Sequence, residues 1–151
     1  MGEKPIVYNS PYVPAEWIAA HGFTPCRLTP SGREESSFPG MGVCPYTAAF
    51  VQEASVHPGT AAVVMTTACD QMRRLSEAMA EKIDRPVFLM HVPAAVETST
   101  AFSLYREEVM RLGRFLERIG GKAPETSEVA GIMSRYDTAR RTLRAARDRL
   151  K

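Results

Sequence analysis

The chain has 151 residues, 44 % of them hydrophobic and 24 % charged, with a formal net charge of +2. That composition is ordinary for a globular chain and excludes a wholly disordered one; a domain of this size buries about 70 % of its unfolded surface and needs no staple to fold. The charge is too small to argue for a nucleic-acid binder, and no apolar run approaches the ~18 residues of a membrane span.

No apolar stretch follows Met1-Gly2-Glu3-Lys4-Pro5, so no secretory signal is expected and the cytoplasm is the expected compartment. The first thirteen residues, with Pro5, Pro11 and Tyr12, read as irregular. Pro14 to His21 reads as a short helix, Pro14 suiting its first turn and Gly22 its stop. Phe23 to Leu28 reads as a short strand. Residues 29 to 43 carry Pro30, Gly32, Pro39, Gly40 and Gly42, which is loop chemistry. Pro45 to about Ser55 can form a helix, and His57-Pro58-Gly59 a turn. Ala61 to Met65 is a continuous small and apolar run, typical of a strand buried on both faces. Asp70 to Ile83 is helical in composition and is broken by Arg85-Pro86, after which Val87 to Met90 reads as another buried strand.

A long helix is expected from about Ser99 to Ile119, striped by Phe102, Tyr105, Val109, Leu112, Leu116 and Ile119 and ended by Gly120-Gly121. A last helix runs from about Ser127, read as its N-cap, to Leu150. Its far end carries Arg140, Arg141, Arg144, Arg147 and Arg149. These can form a surface for acidic partners or phosphate, or a solvated face whose cations complement the helix C-terminus.

Strands alternating with helices predict an α/β fold with a short parallel sheet in three layers, Rossmann- or flavodoxin-like, followed by long C-terminal helices. The expected division is an α/β domain over residues 1–125 and a C-terminal helix over 126–151, packed on it or on a partner. Crossovers in such sheets are right-handed, and ligands sit at the carboxyl ends of the strands.

That rule directs attention to the cysteines. Cys44 ends a glycine-containing loop and precedes Pro45 at an expected helix start. Cys69 follows a buried strand and precedes Asp70 at another. Both thiols are expected at helix N-termini on the carboxyl edge of one sheet, where the thiolate is favoured, and thiolates are the species that bind iron or zinc. Their separation of 25 residues is no local chelate. A shared metal centre and two unrelated, partly buried thiols are both compatible with it. Cys26, inside the first expected strand, reads as a small core residue that reaches the same edge only if the strand ends soon after it. Three cysteines, an odd number in a chain expected to be cytosolic, do not suggest a disulfide framework.

Other chemistry is sparse. His21, His57 and His91 form no zinc-spaced pair with a cysteine, and no dinucleotide fingerprint, P-loop or nucleophile elbow is present. Asp70 reads as a helix cap, with a hydrogen bond to a cofactor as the alternative. The eight methionines read as core residues.

The stretches Val13 to Pro25, Cys44-Pro45-Tyr46, Thr67-Ala68-Cys69-Asp70, Pro86-Val87-Phe88, Val92-Pro93 and Leu116 to Gly121 occur in an order that resembles the N-terminal part of the 2-hydroxyacyl-CoA dehydratase family, related to the benzoyl-CoA reductase subunits. The resemblance implies a [4Fe-4S] cluster held by cysteines from separate loops, with Cys44 and Cys69 matching the two N-terminal cluster cysteines. It implies an ATP-dependent activator protein that injects one electron, and transfer of that electron to an acyl-CoA thioester to give a ketyl radical anion, as in an iron-sulfur-dependent lyase. Family subunits carry a second α/β domain that supplies another cluster cysteine. The remaining ligands are therefore expected from Cys26, a partner chain in a homo- or hetero-oligomer, or a non-protein ligand. The contrasting expectation is a family remnant that binds or assembles with no cluster, or a structural zinc on the same thiols. Neither nucleic acid nor membrane is an expected partner.

Overall fold

The structure, a computed structural model, describes residues 4–30, 42–95 and 97–150, so most of the expected 29–43 loop lies outside the described residues. In chain order the elements are β1 (Pro5–Tyr8), α1 (Ala15–Ala20), β2 (Thr24–Arg27), α2 (Pro45–Val56), β3 (Ala62–Thr66), α3 (Asp70–Lys82), β4 (Val87–Met90), α4 (Ser99–Arg118) and α5 (Thr126–Asp148). The four strands form one parallel sheet in the order β2-β1-β3-β4.

The expected α/β architecture is thus borne out, with one correction. The opening residues are not irregular: Pro5–Tyr8 is an inner strand of the sheet, pairing with β2 on one side and β3 on the other. Its apolar core is only Ile6-Val7-Tyr8, too short for an alternation to declare itself. Pro5 is tolerated because it opens the strand, where a missing N–H costs no ladder bond; its carbonyl still accepts from Ala61 N at 2.8 Å.

Alternate residues of each inner strand feed two cores. Ile6, Tyr8, Ala62, Val64, Phe88 and Met90 pack with Ile18 of α1 and with Leu112, Phe115 and Leu116 of α4. Val7, Val63 and Met65 pack with Phe50, Val51 and Ala54 of α2 and with Met72, Leu75 and Met79 of α3. The result is three layers, with α1 and α4 on one face of the sheet and α2 and α3 on the other. This division is what a single crossover hand demands. The step from β1 to β2 runs one way along the sheet, those from β2 to β3 and β3 to β4 run the other, and opposite directions need opposite faces.

Helices α1 and α4 end alike. Gly22 (φ +85°) and Gly120 (φ +97°) take the left-handed conformation that lets Phe23 N reach Ile18 O (3.3 Å) and Gly121 N reach Leu116 O (2.9 Å), the Schellman arrangement. The stripe of α4 is buried at Leu112 and Leu116, while Phe102 near its start is 69 % exposed. For α5 the expected N-cap Ser127 is replaced by Glu125, which forms a capping box with Glu128. This helix buries no residue; it lies against α1, where Arg140 pairs with Glu16.

Candidate functional site

At the carboxyl edge, the chain leaves β1 toward α1 on one face and leaves the adjacent β3 toward α3 on the other. Divergence between neighbouring strands opens a crevice, the place where ligands sit in open parallel sheets. Cys69 stands there. Three residues after β3 it forms the N-cap of α3, exposed and in an extended conformation. Thr67, between β3 and Cys69, ties the neighbouring loop down: Val92 N donates to its Oγ1 at 3.0 Å, and its own N–H donates to Met90 O at 3.0 Å.

Cys44 is the N-cap of α2, with Pro45 at the first helical position, and it too is exposed. Helices α2 and α3 cover the same face of the sheet and touch each other, so both thiols start helices on one face at one edge. The Cys44 side chain makes no capping hydrogen bond. The thiolate is the form that the first-turn N–H groups favour. Those of Thr47 and Tyr46, and to a lesser degree the Thr47 hydroxyl, hold the Cys44 thiol below its ordinary pKa. Thr47 is fully buried, and its Oγ1 finds no conventional partner. The signal for this arrangement in the sequence is Cys-Pro at a helix start; the buried threonine two residues further on carries none.

Asp70 does not cap α3. It is the first helical residue, and its carboxylate is gripped by Arg73 (2.8 Å) and Arg74 (3.0 Å). Their hydrogen bonds and charge hold it below the ordinary aspartate range. The cap position belongs to Cys69, which leaves the first N–H groups of α3 without a side-chain acceptor.

An open apolar cleft of ≈ 210 Å³ lies at the same edge on the α1/α4 face, lined by Tyr12, Val92, Pro93, Ala95, Ala101, Phe102 and Tyr105. It is braced by Tyr105 Oη, which donates to Tyr12 O at 2.8 Å, and by Glu108, which accepts from His91 N at 2.8 Å. Partial burial would raise the pKa of Glu108, but Arg111 and the His91 N–H outweigh it and hold the carboxyl low.

Cys26 is placed differently. Its half-buried side chain packs on the α2/α3 core, and its Sγ lies 3.7 Å from Nε2 of His57, the C-cap of α2. The structure thus brings Cys26 to the end of the helix that Cys44 begins. Among the described residues no three His, Cys, Asp or Glu side chains gather as a metal-binding group. What the chain offers a metal at the carboxyl edge is two exposed thiols on separate loops, one of them biased toward the anion. Thiolate donors of this kind suit a soft, thiophilic metal.

The family model of the 2-hydroxyglutaryl-CoA dehydratase D-component matches residues 11–151. The chain belongs to this family. Among individually curated proteins none matches it. The matched range takes in both helix-capping cysteines, the switch-point loops and the apolar cleft, which makes the chain a dehydratase-like subunit. No helix among the described residues is long and apolar enough to cross a membrane.

Proposed function

We propose that this chain is the electron-transferring, cluster-bearing component of a cytoplasmic 2-hydroxyacyl-CoA dehydratase, with Cys44 and Cys69 as its ligands to a [4Fe-4S] cluster. The observation that carries the reading is the pair of exposed cysteines capping α2 and α3 on one face of one sheet edge, in a chain of the dehydratase family. Bound there, the cluster would supply single-electron transfer to an acyl-CoA thioester.

The chain's own residues have four tasks. Cys44 and Cys69 donate thiolate sulfur. The uncapped first-turn N–H groups of α2 and α3 offset the negative charge that thiolates and sulfides accumulate. The Thr67–Val92 bond holds the β3 and β4 loops in register beside Cys69. The cleft between Tyr12 and Phe102 takes the apolar part of an acyl group. In this reading the Cys26 thiol stays with His57, and the other cluster ligands come from outside the described residues. An ATP-dependent activator protein delivers the electron.

The test is iron and acid-labile sulfide content with a visible spectrum, on protein purified and reconstituted without oxygen. About four irons and matching sulfide per cluster, with broad absorbance near ~400 nm, support the reading. Cys44→Ser and Cys69→Ser should each abolish both. Protein that stays colourless after reconstitution overturns it and leaves a binding or assembly module; stoichiometric zinc in place of iron overturns it in favour of a structural site.

A further inference from the structure

A second sulfur site lies at the other end of α2 and has no part in the proposed cluster. A hydroxyl carries one proton, and Thr60 Oγ1 donates its own to the carbonyl oxygen of His57 at 3.0 Å. Thr60 Oγ1 also lies 3.0 Å from His57 Nδ1, placed to accept from it in the Nδ1–H tautomer. In that tautomer Nε2 is the bare nitrogen. It lies 3.7 Å from Cys26 Sγ, within reach of the thiol proton. The orienting hydroxyl is itself immobilised: Thr60 is 6 % exposed, and Arg85 Nη1 donates to the carbonyls of both Ser55 (3.2 Å) and His57 (3.3 Å), pinning the turn. A thiol, a base in the correct tautomer and a third group holding that base form the arrangement that activates a nucleophile. Cys26 and His57 are both only partly buried.

We propose that Cys26 is a reversible modification site that exchanges with low-molecular-weight disulfides, with His57 as its base and Thr60 as the residue that positions the imidazole. The thiol proton passes to His57 Nε2, and the Cys26 thiolate attacks one sulfur of a disulfide R–S–S–R′. The S–S bond breaks as the Cys26–S–R bond forms, and the departing thiolate takes the proton back from the imidazolium. Cys26 is oxidised to the mixed disulfide, the small disulfide is reduced to one thiol, and no other reactant is consumed.

The test treats the full chain with oxidised glutathione at pH 7 and follows each cysteine by peptide-resolved mass spectrometry. Native Cys26 should react several-fold faster than the same residue in the urea-unfolded chain, although burial alone would slow it. His57→Gln should slow the native reaction about tenfold. Thr60→Val, which keeps the shape and removes the acceptor, should slow it by a smaller factor, with Cys44 and Cys69 unaffected by either change. A native rate at or below the unfolded rate overturns the proposal with no variant needed. So does an unchanged rate in a folded His57→Gln or Thr60→Val chain, which would reduce the contact to a structural hydrogen bond.

Discussion

The two ends of helix α2 present sulfur in opposite ways: Cys44 stands exposed at the N-cap with backbone N–H groups behind it, whereas Cys26 reaches the C-cap from a neighbouring strand and meets an imidazole. At the first end the anion is favoured by main-chain dipoles that every helix start supplies. At the second, activation depends on one histidine tautomer and one buried hydroxyl. A sulfur served by the backbone is free to hand its charge to a metal, while one served by a side-chain base is suited to a proton-coupled exchange.

The change expected to matter most removes what joins the two ends. Phe50 is fully buried in the middle of α2, and Phe50→Ala should cost about 3–5 kcal/mol in urea unfolding. If the ends depend on that shared packing, it should also erase the reactivity difference between Cys44 and Cys26. Next comes the C-terminal end alone. Arg85→Ala removes the donor to two carbonyls and should cost about 1–2 kcal/mol, slowing Cys26 exchange and leaving Cys44 alkylation unchanged.

The N-terminal end is separated by pH. Because the Cys44 thiol is held below its ordinary pKa, its thiolate persists below the pH at which a free thiol, near ~8.5, is protonated. Its alkylation rate in the metal-free chain should therefore fall only as pH drops through that lowered value. Thr47→Val should move the profile slightly upward, since the hydroxyl is the lesser contributor; a profile centred on the free-thiol value would show that the α2 start does not bias the sulfur. The smallest effect belongs to α5, none of whose own residues is buried. Leu143 of α5 is 70 % exposed, and Leu143→Ala should change stability by no more than about 0.5 kcal/mol. A larger loss in urea unfolding would mean that α5 is covered in solution.

Much of this organisation is legible in the residues. The runs 61–65 and 87–90 read as strands because both of their faces are apolar, and burial on both faces is where they lie. Cys44 and Cys69 read as helix starts because proline follows one and an acidic residue follows the other, which suits the first turn. β1 is not legible, since three apolar residues between prolines carry no period; only pairing with strands on both sides makes them a strand. Ser127 and Asp70 look like caps by residue type, but Glu125 wins the first position through its reciprocal bond with Glu128, and two arginines take the carboxylate at the second.

By itself the sequence determined the alternation of elements, the glycine stops after α1 and α4, and the two cysteines at helix starts. Each of these rests on local forces: side-chain periodicity, backbone freedom and the unpaired N–H groups of a first turn. Only the tertiary structure decided that β1 lies inside the sheet, that β1 and β3 diverge beside Cys69, and that the thiol of Cys26 faces an imidazole 31 residues away. Those are consequences of strand order, and strand order is set by which faces bury together across the sheet, a sum over distant contacts that no short window of residues contains.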